Sequence, residues 1–150
     1  MNAEWSEALA RAVRDVFEQL CFMLPGEDVS AAGERVSVEV AFHGARSGVL
    51  SLSLPEPMVA KVAAAMLGED EPLALTEQHA AIRELSNIVC GNALPSIVGE
   101  RAVCELESPR VLAAGEVPSA SADAEAEVSL DEGVVSVRLA LSAAQVVGAA

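Results

Sequence analysis

Aromatic side chains are almost missing: one Trp, three Phe and no Tyr in 150 residues. Sugars and single-stranded nucleic acids are held largely by stacking on aromatic faces, so the sequence argues against both as ligands. Cations are scarce as well. Nine Lys and Arg stand against 23 Asp and Glu, a formal charge of -14, which repels phosphate backbones and anionic lipid. Neither nucleic acid nor a membrane surface is an expected partner. There are 2 His, neither close in sequence to a Cys or to the other, and no CxxC, HExxH or phosphate-cradling glycine loop. Most nucleophilic and metal-dependent templates therefore lack their parts, and no metal site is expected. The three cysteines, Cys21, Cys90 and Cys104, are odd in number, widely spaced and set in apolar runs, which fits free thiols in a reducing compartment. No apolar run approaches the roughly 20 residues that span a bilayer. The opening Met-Asn-Ala-Glu-Trp has none of the basic flank, apolar stretch or cleavage site of a signal peptide. A soluble, cytoplasmic protein is the expectation.

What the chain does have is apolar bulk. Hydrophobic residues make up 52% of it, far from the composition of disordered chains, and the length suits a single domain over residues 1–150. Over residues 4–24, Trp5, Leu9, Val13, Val16, Phe17, Leu20 and Leu24 recur with helical spacing, and Pro25-Gly26 is the expected stop. Val36, Val38, Val40 and Phe42 alternate with small or polar residues; after His43-Gly44-Ala45-Arg46 the alternation resumes at Leu50, Leu52 and Leu54, as in a hairpin with one buried face. Pro57 opens a short helix closed by Gly68. A long helix is expected over residues 77–98, with Thr76 as its N-cap and Pro95 bending or ending it. Strand-like alternation follows at residues 103–107. Residues 119–125 are small, polar and of low complexity, the composition of a mobile loop. A second hairpin is expected around Asp131-Glu132-Gly133. Helices segregated from antiparallel hairpins predict an α+β fold, an antiparallel sheet packed against helices.

Few residues are candidates for chemistry. His43 in a turn and His79 near a helix start read as solvated or capping residues, and the acidic turn Glu69-Asp70-Glu71 reads as solvated and favoured by the helix dipole that follows. The informative stretch is Glu84-Leu85-Ser86-Asn87-Ile88-Val89-Cys90-Gly91-Asn92-Ala93-Leu94. On a helix, Glu84, Asn87 and Gly91 share one narrow sector with Ala80 beside them, while Ile82, Leu85 and Val89 occupy the other side. A carboxylate and a carboxamide thus project together from a face that Ala80 and Gly91 leave almost bare, an open approach for a partner. Geometry alone is also met by a merely solvated face, the commoner outcome, or by close packing of Gly91 against another helix.

That stretch resembles the ExxN helix of the CheC/CheX/FliY phosphatases of bacterial chemotaxis, in its CheX branch. The surroundings agree in order: the first helix with Val16-Phe17 and Met23, the hairpin, Leu73 and Thr76 leading into the motif helix, then Pro109-Arg110-Val111 and Gly115. One motif is present, as in CheX-like chains. The sequence departs from the family at Ala80, where Asp or Ser is frequent. The resemblance implies a CheX-like fold, a homodimer and hydrolysis of the aspartyl phosphate of a CheY-like response regulator, whose own site supplies the phosphorylated Asp, a Lys and Mg2+. It makes Asn87 the residue that positions the attacking water and Glu84 the partner of the receiver's Lys, both at a docking face completed by Ala80 and Gly91. A non-catalytic module that binds a receiver or acts as a scaffold is the alternative.

Overall fold

Periodicity becomes packing in the computed structural model, which describes residues 2–26, 33–70, 73–113, 116 and 122–142. Three helices and six strands follow in the order α1 (Ala3–Cys21), β1 (Arg35–Gly44), β2 (Gly48–Pro55), α2 (Glu56–Leu67), α3 (Leu75–Val98), β3 (Cys104–Leu106), β4 (Arg110–Val111), β5 (Ala124–Leu130) and β6 (Gly133–Leu141). All strand pairs are antiparallel. The sheet runs β3-β1-β2-β6-β5, with β4 also pairing β1. The expected α+β class is the observed one.

Alternation along the strands decides where the helices go. Val38, Val40 and Phe42, Leu50, Leu52 and Leu54, Val128 and Leu130, and Val135, Val137 and Leu139 all point into one core, where they meet Leu9, Val13, Val16 and Phe17 of α1, Met58, Val59 and Val62 of α2, and Ile82, Leu85 and Val89 of α3. All three helices therefore cover the same face of the sheet. The opposite face carries the intervening residues and is held by polar contacts: Arg110 pairs with Glu39 at 2.9 Å and with Glu116 at 2.8 Å, and Arg138 with Glu125 at 3.5 Å.

Helix ends differ from expectation in instructive ways. Asn2 caps α1, its Oδ1 accepting from the Trp5 N–H at 3.0 Å. The stop comes at Phe22, before Pro25-Gly26, because Phe22 adopts the left-handed region (φ 57°) and donates its N–H to the Glu18 carbonyl. Pro25 instead bridges to Leu130. The helix α3 begins at Leu75, with Ala74 at the N-cap, so Thr76 lies inside it; the Glu77 carboxylate accepts the Ala74 N–H at 3.4 Å in place of a capping hydroxyl. Pro95 sits inside α3 without ending it, and the helix closes at Gly99.

The loop expected over residues 119–125 is shorter than composition indicates. Ala124 and Glu125 open β5, Ala124 is fully buried, and the Asp123 N–H bonds the Leu139 carbonyl while its Oδ2 accepts from Leu141. The small size of Ala124 serves a strand packed against α1; residues 119–121 lie outside the described ones. The free cysteines are Cys21 and Cys90, both buried, and Cys104, half-buried. Burial pushes the thiols of Cys21 and Cys90 up to about 12, so both stay protonated and behave as small apolar side chains. Among the described residues no helix is long and apolar enough to cross a membrane.

Candidate functional site

The 24-residue α3 is anchored by Ile82, Leu85, Val89 and Ala93, all essentially without solvent contact. Its polar residues on the buried side are satisfied within the helix: Ser86, itself buried, donates to the Ile82 carbonyl at 2.8 Å. Asn92 does the same from the surface, its Nδ2 donating to Ile88 at 2.8 Å. The anchored side turns Ala80, Glu84 and Gly91 outward, all exposed.

Asn87 departs from the expectation of a fully exposed side chain. It is half-buried, and the cause is angular. Taking Glu84 as the centre of the outer face, Asn87 lies ~60° to one side at ~100° per residue, toward the flank where Cys90 and Leu94 enter the core. Its Oδ1 is occluded from solvent and meets no hydrogen-bond donor among the described residues. A carboxamide without an internal partner stands out on a helix where Ser86 and Asn92 bond their own backbone, since burying an unpaired amide oxygen costs about 1 to 3 kcal/mol.

Gly91 stands in open space. A Cβ placed on it would meet nothing within 4 Å, so close helix packing does not explain the residue. Pro95, four positions on, has no N–H to give the Gly91 carbonyl, which makes this the weakest turn of α3. Gly91→Ala is therefore expected to stabilise the protein by about 1 kcal/mol, the usual advantage of Ala over Gly within a helix. Urea unfolding checks this: an unchanged or lower midpoint means that some contact needs the bare backbone.

Beyond Glu84, on the side away from Asn87, lies a groove of about 200 Å³ lined by Leu20, Met66, Leu67, Ala81, Glu84 and Ile88. Nothing in the sequence announces it, because its walls come from the last turns of α1 and α2 and from the middle of α3. The other candidates stay apart from this site. His43 belongs to β1 rather than a turn and faces Glu105 at 3.4 Å. His79 is half-buried near the start of α3, beside Gln78 in a separate cavity of about 290 Å³. Glu69 and Asp70 are exposed, and Glu71 lies outside the described residues. Among the described residues no group of three His, Cys, Asp or Glu side chains is placed to hold a metal ion.

Comparison with known proteins bears on these observations. The family model of the chemotaxis phosphatase CheX matches residues 36–131, a span that holds Ala80, Glu84, Asn87 and Gly91. A sequence comparison with curated proteins finds no match. Among solved structures, a chemotaxis protein CheX from Desulfovibrio desulfuricans superposes with a TM-score of 0.73 at 20% identity, covering 93% of this chain and 99% of that one. A chemotaxis protein from Desulfovibrio vulgaris Hildenborough gives 0.75 at 18%, covering 94% and 98%. A complex of CheX with CheY, BeF3 and Mg2+ from Borrelia burgdorferi gives 0.66 at 16%, covering 95% and 100%. At such identities the likeness is one of fold.

Proposed function

Because this chain belongs to the family of the chemotaxis phosphatase CheX, we propose that it removes the phosphoryl group from the phosphoaspartate of a CheY-like response regulator. In this reading a water oxygen bonds to phosphorus while the bond from phosphorus to the aspartyl oxygen breaks, giving free carboxylate and inorganic phosphate. An acyl phosphate is reactive enough that in-line placement of water and stabilisation of spreading charge supply most of the catalysis. The chain then needs no strong base and no nucleophile, consistent with a motif face that holds neither His nor Cys. The Mg2+ and the Lys belong to the receiver.

The observation that carries the reading is the Asn87 side-chain oxygen, which meets no hydrogen-bond donor among the described residues while it borders the open face of α3. Asn87 is the residue assigned to hold the attacking water. Glu84, exposed one turn earlier, is assigned to the receiver's Lys, which fixes the register of docking. Ala80 and Gly91 leave room for the approach. A formal charge of -14 slows encounter with an acidic receiver, so the complex is expected to be transient. A second copy, which the sequence resemblance implies, is expected at a strand edge rather than on α3, because unpaired backbone groups at an edge accept another strand and the motif face then stays free.

The test is a screen of phosphorylated receiver domains with Mg2+ for accelerated phosphate loss. Acceleration of at least one receiver is expected. Binding of phosphorylated receivers without acceleration of any replaces the phosphatase reading by a scaffold one, which Ala80, standing where the family often has Asp or Ser, would then explain.

A further inference from the structure

We propose that the groove between α1, α2 and α3 is a second contact with the receiver and takes one apolar side chain that lies beside the cation met by Glu84. The inference rests on the reading of Glu84 and Asn87 as the receiver-facing pair. On α3, Ala81 and Ile88 lie ~40° to 60° from Glu84 on one side and Asn87 ~60° on the other. Glu84 is therefore both the rim of the groove and the centre of the motif face. A partner whose cation reaches the carboxylate extends over the groove as well.

Composition and size fix the occupant. Glu84 is the one charged group in the lining; Leu20, Met66 and Ile88 are half-buried, Ala81 forms a buried floor and Leu67 is 51% exposed. A volume of about 200 Å³ accommodates a single aliphatic or aromatic side chain and is small for a cofactor-sized ligand. An unbranched Met in the wall lets the groove adapt to different shapes. The motif face offers little binding area of its own, since Ala80 and Gly91 contribute almost no side chain, and the acidic protein gains no long-range attraction toward an acidic receiver. Apolar burial in the groove supplies what the face lacks. It also gives a means of choosing among receivers: one with a small or polar residue beside its site lysine leaves the groove unfilled and binds more weakly.

The test is steady-state dephosphorylation of a responsive receiver by the full chain, read as separate KM and kcat. Leu67→Ser removes apolar wall at an exposed position. It is expected to raise KM roughly tenfold to a hundredfold, the equivalent of one buried aliphatic side chain, with kcat unchanged, and Leu67→Met is expected to behave as the parent. If Asn87→Ala loses turnover while Leu67→Ser keeps the parental KM, the groove is not a receiver contact although the motif reading stands. If Asn87→Ala keeps full turnover, the motif reading fails and the groove proposal fails with it. A fall in the mass of the free protein by light scattering on Leu67→Ser would assign the groove to contact between copies of this chain and overturn the proposal.

Discussion

Asn87→Ala is expected to lower the turnover of receiver dephosphorylation by about a hundredfold to a thousandfold, the usual consequence of losing one preorganised polar group aimed at a reacting centre. Receiver binding is expected to stay nearly intact, because in the proposed mechanism the amide acts on a water that is correctly placed only as the phosphorus is attacked. The same substitution stabilises the fold. It removes an occluded oxygen that finds no donor among the described residues, a gain of about 1 to 3 kcal/mol, and puts the best helix former in its place. Opposite signs for activity and stability are what a residue kept for chemistry produces, whereas a structural residue would lose both together. Single-turnover phosphate release and urea unfolding of one preparation measure the two. A variant that is less stable and fully active would show that Asn87 serves packing.

Glu84→Ala fails differently. Its carboxylate is exposed in the free protein and, in the proposed docking, would become desolvated only when a receiver covers it. Removing it would then strand the receiver's Lys in the interface, at an expected cost of about 2 to 5 kcal/mol in binding. The defect appears as a raised KM, and high receiver concentration restores most of the rate. Stability of the free protein is expected hardly to change, since Glu84 forms no ion pair among the described residues and Ala is at least as good a helix former. Raising salt narrows the gap between parent and variant only slightly, because an ion pair shut off from solvent is poorly screened. Equal KM values for parent and Glu84→Ala across responsive receivers would remove Glu84 from the docking pair.

The sequence carries this fold where burial is one-sided. Alternation at Val38, Val40 and Phe42 and at Leu50, Leu52 and Leu54 sets both the strands and the face that the helices cover, because a slip of one residue would turn every apolar side chain to solvent. It is less informative where a local rule meets a tertiary demand. Phe22 ends α1 in a conformation expected of Gly or Asn, since the chain must turn there to bring Pro25 to Leu130. Ala124 reads as loop by composition yet is fully buried at the start of β5, a strand that packs against α1. The two-residue β4 is too short to have a period. At the site, the grouping of Ala80, Glu84, Asn87 and Gly91 follows from helical spacing alone. The half-burial of Asn87 does not, because the wheel gives directions and not how deep the neighbouring layer rises. The groove is illegible in any single segment, being shared by three.

The middle of the sheet has a further consequence, for how the molecule folds. Each hairpin, β1 with β2 and β5 with β6, closes through a short turn, but the sheet becomes one only where β2 pairs with β6, as Gly48 with Leu141 and Ser53 with Ser136. Two helices and three strands lie between those partners along the chain, so among the pairs of named strands this seam bears the largest loop-closure entropy and is expected to form late, with a correspondingly slow rate for the domain. The helix α3 lies inside that loop and packs on α1 as well as on α2. Its outward face is therefore expected to acquire a fixed direction only once the seam has shut, and a half-folded chain would not hold Ala80, Glu84, Asn87 and Gly91 in one settled orientation.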